Sequence, residues 1–243
     1  LESFILRKGI MKKCGIIGGI GPEATVEYYR GIIKGYREKI TDGSYPEVFI
    51  HSIDMTRMIG YIQAGDHTSL ISYISSAVNS LKNAGADFAV LSSNTPHIAF
   101  DGIEKEAPLP MISIVKETAG EAERKGLLRC GLLGTAFTMK NDFYKRVFAD
   151  KNIAVISPES GSQDLIHNII FDELVFGKVT DESREKFMDI IKTMILRDKI
   201  DSVILGCTEL PLILRETESA AAGIPFLNTT SIHISSIVDK LTV

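Results

Sequence analysis

Short, almost wholly apolar runs alternate along this chain with longer segments whose apolar residues recur every three or four positions. The first kind reads as strands covered on both faces, the second as amphipathic helices. "CGIIGGI" (14–20), "EVFIHSI" (47–53), "DFAVLS" (87–92) and "MISI" (111–114) predict four strands in the first half. "CGLLGT" (130–135), "NIAVIS" (152–157), "DSVILG" (201–206) and "IPFLN" (224–228) predict four in the second. The intervening patterns predict helices over 22–39, 68–85, 115–125, 137–149, 160–176, 181–198, 210–218 and 230–241, with a short one after His97. Pro22 suits a first helical position, and Gly85 stops the second helix. Strands alternating with helices imply parallel sheets with helices on both faces.

The pattern also repeats. With Asp87 set against Asp201, Ala89-Val90-Leu91 faces Val203-Ile204-Leu205, Ser93 faces Cys207, and Asn94-Thr95 faces Thr208-Glu209. "CGIIGGIGPEAT" from Cys14 and "CGLLGTAFTMK" from Cys130 form a second matched pair. The chain therefore reads as an α/β fold of two pseudosymmetric parallel-sheet domains with an active site between them. The first domain is expected over 11–113 plus 228–243, the last helix returning to it, and the second over 114–227.

Composition narrows the possibilities without choosing among them. A length of 243 residues is ample for a sizeable core, and a net charge of -4 gives no global reason to expect nucleic acid. No apolar run approaches the ~20 residues that span a bilayer, so no membrane contact is expected. In "LESFILRKGI" the basic pair Arg7-Lys8 follows the apolar run, the wrong order for a signal peptide. Met11 looks like a natural start, and residues 1–10 read as an extension. Three widely spaced cysteines, Cys14, Cys130 and Cys207, argue for reduced thiols and a cytoplasmic location. The His and Cys residues show no metal-ligand spacing, so no metal is expected.

In open α/β sheets ligands bind at the carboxyl ends of the strands, which singles out loops 18–22, 93–97, 134–138 and 207–209. Two similar halves facing one ligand would set Ser93 and Cys207 on its opposite sides. Inversion at carbon needs that arrangement: one group removes a proton and another delivers one to the other face.

"GIIGGIGPEAT", "SSNTPH" and "GCTEL", with "IIFDELVFGKV" (169–179), resemble the signatures of the cofactor-independent aspartate/glutamate racemase family over nearly the whole chain from Met11. The resemblance implies an isomerase that racemises an acidic amino acid, aspartate first and glutamate next, with no cofactor, and it implies a homodimer. It also implies two facing catalytic residues, usually both cysteines. Carried over by motif, these are Ser93 and Cys207.

Cys207 fits that pattern, and a short helix after residue 208 would lower its pKa through the helix dipole. Ser93 departs from it, because a hydroxyl is much harder to ionise than a thiol. Three explanations stand open: a one-directional racemase in which Ser93 or water returns the proton, a single-thiol decarboxylase or lyase, or a Ser introduced in place of Cys. Asn94, Thr95 and Thr208 suit an α-carboxylate at helix starts, or are plain N-caps. Gly19 and Gly21 permit close backbone approach, and Thr135 occupies the matching turn. His97 and Glu209 are candidates for orienting or activating the two carriers. Arg57 and Lys178 are candidate cations for a side-chain carboxylate. "GIGPEA" (19–24) also satisfies a dinucleotide-binding pattern, and a noncatalytic binding protein of the same fold is the remaining alternative.

Overall fold

The computed structural model describes residues 11–243, and the expected extension 1–10 lies outside the described residues. The first elements are β1 (Cys14–Gly18), α1 (Pro22–Lys39), β2 (Val48–Ser52), α2 (Met55–Gln63), α3 (His67–Ala84), β3 (Phe88–Leu91), α4 (Phe100–Glu106) and β4 (Met111–Ile112). Then come α5 (Ile114–Arg124), β5 (Arg129–Leu133), α6 (Ala136–Lys140), α7 (Phe143–Ala149), β6 (Ala154–Ile156), α8 (Ser160–Asp172) and α9 (Asp181–Asp198). β7 (Ser202–Leu205), α10 (Glu216–Ala222), β8 (Phe226–Asn228) and α11 (Thr229–Leu241) complete the chain.

The strands form two four-stranded parallel sheets, ordered β2-β1-β3-β4 and β6-β5-β7-β8. The expected α/β class with two similar parallel-sheet halves is what the chain adopts. The described residues fall into two compact units. One runs through Ser92 and includes Ala99–Ile112 and His233–Val243. The other comprises Ser93–Ile98 and Ser113–Ile232.

In the first unit the central strands β1 and β3 are buried along their whole length, which is why they read as unbroken apolar runs. Cys14, Ile16, Phe88 and Val90 pack against Tyr28, Ile32 and Tyr36 of α1 and Ile237 and Leu241 of α11. In the second unit, alternation along β5 and β7 splits the core into two layers. Leu133, Val203 and Leu205 meet Ile166, Ile170, Phe187 and Ile191 of α8 and α9. Cys130, Leu132 and Ile204 meet Ile114 and Ala119 of α5 and Phe143, Tyr144 and Phe148 in α7.

Three expected helices differ. The 137–149 pattern breaks at Asn141, whose side-chain amide donates to Phe137 O at 2.8 Å and closes α6. The 160–176 pattern ends at Asp172 and continues as a 3₁₀ turn, Leu174–Phe176. The 210–218 pattern is a 3₁₀ turn, Leu210–Leu212, followed by α10. Helix α2 escaped the periodicity reading because it is short. Its start signal was present in Asp54, whose carboxylate accepts from the N–H groups of Thr56 and Arg57. Among the described residues no helix is long and apolar enough to cross a membrane.

Candidate active site

The repeated Asp anchors both halves in the same way. Asp87 N–H donates to Lys13 O and Asp201 N–H to Arg129 O, each at 2.9 Å. Each carboxylate accepts a backbone N–H from the segment opposite: Lys13 at 2.7 Å for Asp87, and Leu128 at 2.6 Å and Arg129 at 3.1 Å for Asp201. The registers match, with Cys14 opposite Phe88 and Cys130 opposite Ser202. At the far end Ser92 N–H donates to Ile17 O at 3.1 Å and Gly206 N–H to Leu133 O at 2.7 Å. Ser93 and Cys207 thus leave equivalent strand ends in equivalent register. Ser92 itself is a structural hydroxyl: it is fully buried and donates to Ile17 O at 3.1 Å.

Cys207 is a partly buried, free thiol that packs against the second unit's core. Its Sγ–H donates to Glu209 Oε2 at 2.8 Å, and Thr208 Oγ1 donates to the same oxygen at 2.8 Å. The expected helix dipole is missing, because the chain after Thr208 forms only the 3₁₀ turn at Leu210–Leu212. Burial, reinforced by the Glu209 charge, pushes the Cys207 thiol well above its ordinary pKa. Cys207 therefore rests with its proton on sulfur, hydrogen-bonded to the Glu209 carboxylate. Cys14 and Cys130 are fully buried, and burial raises both thiols, Cys130 to about 11. They are core residues.

Ser93 is partly exposed and opens the segment Ser93–Ile98, which belongs to the same unit as Cys207. Its neighbour Asn94 is 3% exposed, and its amide is already engaged: Oδ1 accepts from Tyr144 Oη at 2.6 Å and Nδ2 donates to Thr229 Oγ1 at 3.3 Å. Thr95 begins a 3₁₀ turn through Ala99. His97 is buried, and its backbone N–H donates to Asn94 O at 3.0 Å. Thr135 is buried at the start of α6 without capping it, its hydroxyl lying 3.4 Å from that of Thr138. His167 Nδ1 instead accepts the Ala136 N–H at 3.2 Å.

Gly19, Gly21 and Arg57 belong to the first unit. Gly19 and Gly21 both have φ of +79°. A Cβ at Gly19 would lie 2.4 Å from Ile53 O, and its N–H donates to Thr25 Oγ1 at 2.9 Å. The glycine requirement is thus met by packing inside this unit, and the N–H that a pyrophosphate would need is turned to a threonine. Arg57 lies in the first turn of α2, with its guanidinium 4.6 Å from the Tyr73 ring centroid and Nε donating to Tyr61 Oη at 2.9 Å. Lys178 is exposed in the loop before α9, where its charge acts on Glu182. Side-chain hydrogen bonds join Cys207, Thr208 and Glu209 in one group and Asn94, Tyr144 and Thr229 in another.

The motifs of the sequence do not single out the second group. Thr229 follows β8 in "FLNTT", so a third strand of the second half also ends in hydroxyls, a signal present in the pattern. Tyr144 had no comparable signal, since it sits in the first turn of α7 among core aromatics. Among the described residues no three His, Cys, Asp or Glu side chains gather as a metal site.

The family profile described as Asp/Glu/Hydantoin racemase matches residues 17–237. This chain belongs to that family. It is an enzyme of the isomerase class, acting as an amino-acid racemase of the Asp/Glu type. It is 25% identical over 210 residues to the glutamate racemase of Aquifex aeolicus, covering 86% of this chain and 77% of that one. It is 24% identical over 234 residues to the broad specificity amino-acid racemase RacX of Bacillus subtilis, covering 92% and 96%. Among solved structures, an aspartate racemase homologue from Pyrococcus horikoshii superposes with a TM-score of 0.83 at 33% identity, covering 96% of this chain and all of that one.

Proposed function

We propose that this racemase acts on aspartate first and glutamate second, without a cofactor, moving the Cα proton through Cys207 on one face and Ser93 on the other. The observation that carries the reading is the matched pair of strand ends, one supplying Ser93 and the other a thiol hydrogen-bonded to Glu209. In the abstracting direction the Sγ proton passes to Glu209 Oε2, the thiolate takes the Cα proton, and Ser93 or a water it holds returns one to the opposite face, solvent then replacing that proton and taking the one left on Glu209. In the reverse direction a water held by Ser93 takes the Cα proton after losing its own to solvent, and Cys207 delivers the proton it already carries. The hydroxyls of Thr95 and Thr135 are candidate donors to the α-carboxylate. Arg57 and Lys178 are the candidate cations for the side-chain carboxylate, and we read the active enzyme as a cytoplasmic homodimer.

The test is solvent deuterium incorporation at Cα, starting separately from L- and D-aspartate and L- and D-glutamate. Cys207→Ala is expected to abolish exchange, and exchange retained in that variant overturns the assignment. Ser93→Cys is expected to raise racemisation in both directions by supplying a second ionisable carrier; a loss of turnover would count against Ser93 as that carrier. A second reading draws on the resting proton of Cys207, which suits a thiol that protonates a carbanion after decarboxylation. Carbon dioxide release from an α-substituted malonate, with no exchange from any acidic amino acid, would favour it.

A further inference from the structure

A buried chain of hydrogen bonds joins the residue beside Ser93 to the strand that carries Cys207. Tyr144 Oη donates to Asn94 Oδ1 at 2.6 Å, Asn94 Nδ2 donates to Thr229 Oγ1 at 3.3 Å, and Thr229 Oγ1 donates to Leu205 O at 2.8 Å. Tyr144 and Thr229 are fully buried and Asn94 nearly so. The direction of the chain is determined by its own inventory of protons. Thr229 has one hydroxyl proton and spends it on Leu205 O, so it can only accept from Asn94. The amide nitrogen must then face Thr229 and the amide oxygen Tyr144, which has a proton to give. One orientation satisfies all three side chains.

The two ends of this chain matter. Asn94 adjoins Ser93, and Leu205 is the last residue of β7, two positions before Cys207. Leu205 also pairs in register with Asn228, the residue before Thr229. The Ser93 segment is therefore tied to the end of the Cys207 strand through one amide and two hydroxyls, all within the second unit.

We propose that Tyr144 and Thr229 are positioning residues that hold Ser93 in register with Cys207, acting through the Asn94 amide. Neither need touch substrate. The inference rests on the reading of Ser93 and Cys207 as the two proton carriers. In that reaction a proton removed on one face is useful only if the opposite carrier is in place. Small misplacements of a reacting group cost rate steeply.

Two measurements on wild type, Tyr144→Phe, Thr229→Val and Thr229→Ser test it. The first is amide hydrogen exchange across 93–98, which needs no substrate. Losing a net hydrogen bond of about 0.5–1.5 kcal/mol should speed exchange of the His97 N–H by ~2- to 12-fold in Tyr144→Phe and Thr229→Val. Thr229→Ser, which keeps the hydroxyl, should stay near wild type, and α9 should be unchanged in all three. The second is the number of inversions per Cα exchange event in deuterated water. It should fall by a similar factor in the first two variants, with kcat changing more than KM, and recover in Thr229→Ser. Unchanged exchange in 93–98 overturns the network whatever the reaction is. Faster exchange with an unchanged inversion ratio overturns the positioning role. Wild type that exchanges no Cα proton counts against the racemase reading itself, and with it against any positioning role in that reaction, while the amide arm still decides whether the network exists.

Discussion

At the scale of single residues, the arrangement around Cys207 inverts the usual picture of an activated thiol. A cysteine primed as a nucleophile sits near a cation or a helix N-terminus, whereas Cys207 faces the Glu209 carboxylate at 2.8 Å. The proton rests on sulfur, and the carboxylate accepts its hydrogen bond. Burial and the carboxylate both favour the thiol form. Removing the charge should therefore let the thiolate form more easily. In Glu209→Gln the pH midpoint for iodoacetamide labelling of Cys207 is expected to move to lower pH, read by peptide mass so that buried Cys14 and Cys130 do not interfere. A midpoint that stays put or rises would show that the carboxylate does not control this thiol. Racemisation should nonetheless fall in the same variant, because the acceptor for the Sγ proton is gone. The opposing directions of labelling and turnover separate proton handling from a general loss of structure.

At the scale of elements, the turn between β1 and α1 shows how a motif that resembles a ligand loop can be demanded by packing. Gly18 ends the buried strand β1, and Gly19 and Gly21 follow it, the spacing of a phosphate loop. Yet a Cβ at Gly18 would meet Thr25 Cγ2 at 2.5 Å, and one at Gly19 would meet Ile53 O at 2.4 Å. Gly19 also holds φ at +79°, where an L side chain costs about 1–2 kcal/mol before any collision. Gly19→Ala is expected to lower stability by about 2 kcal/mol or more, a fall in Tm of about 4–8 °C for a chain of this size. A thermal melt indistinguishable from wild type would show that the backbone there relaxes freely. Two of the element boundaries that the pattern missed share one physical cause. Helix ends are settled by local capping, as at Asn141 and Asp54, and apolar periodicity does not register it.

At the scale of the whole molecule, both sheets share one strand order and one register, and a buried polar link joins the ends of the chain in the first unit. His233 in α11 has Nδ1 2.8 Å from Tyr28 Oη and Nε2 3.1 Å from Ile112 O. A neutral imidazole satisfies both neighbours, donating from Nε2 to the carbonyl and accepting from the tyrosine. Burial lowers its pKa from 6.5 to about 4. The unfolded chain therefore takes up a proton that the folded chain refuses as pH falls below 6.5. Stability is unaffected above that pH, declines between 6.5 and 4, and has lost its full increment, about 3 kcal/mol, below 4. Urea midpoints at pH 7, 5 and 4 should show this decline in wild type and a shallower one in His233→Asn, which carries no titrating group. Equal slopes in the two proteins would rule out His233 as the source.

How much of this was legible in the chain follows from the range of each interaction. The alternation of apolar runs with helical periodicity, the duplicated "DFAVLSS" and "DSVILGC" phrases and the matched Asp87 and Asp201 determined by themselves the α/β class, the eight strands and the equivalence of Ser93 and Cys207. These are properties of local pattern and internal repetition, and both are written in residue order. The tertiary structure alone decided that Glu209 turns back onto Cys207, that the 3₁₀ turn withholds a helix dipole from it, and that Asn94 is held between Tyr144 and Thr229. The partners in that last link are 50 and 135 residues apart. Nothing in the spacing of such residues marks them as neighbours. The parallel register of β7 and β8 brings Leu205 beside Asn228 and so places Thr229 at that strand end, and burial there requires each polar group to find a bonding partner.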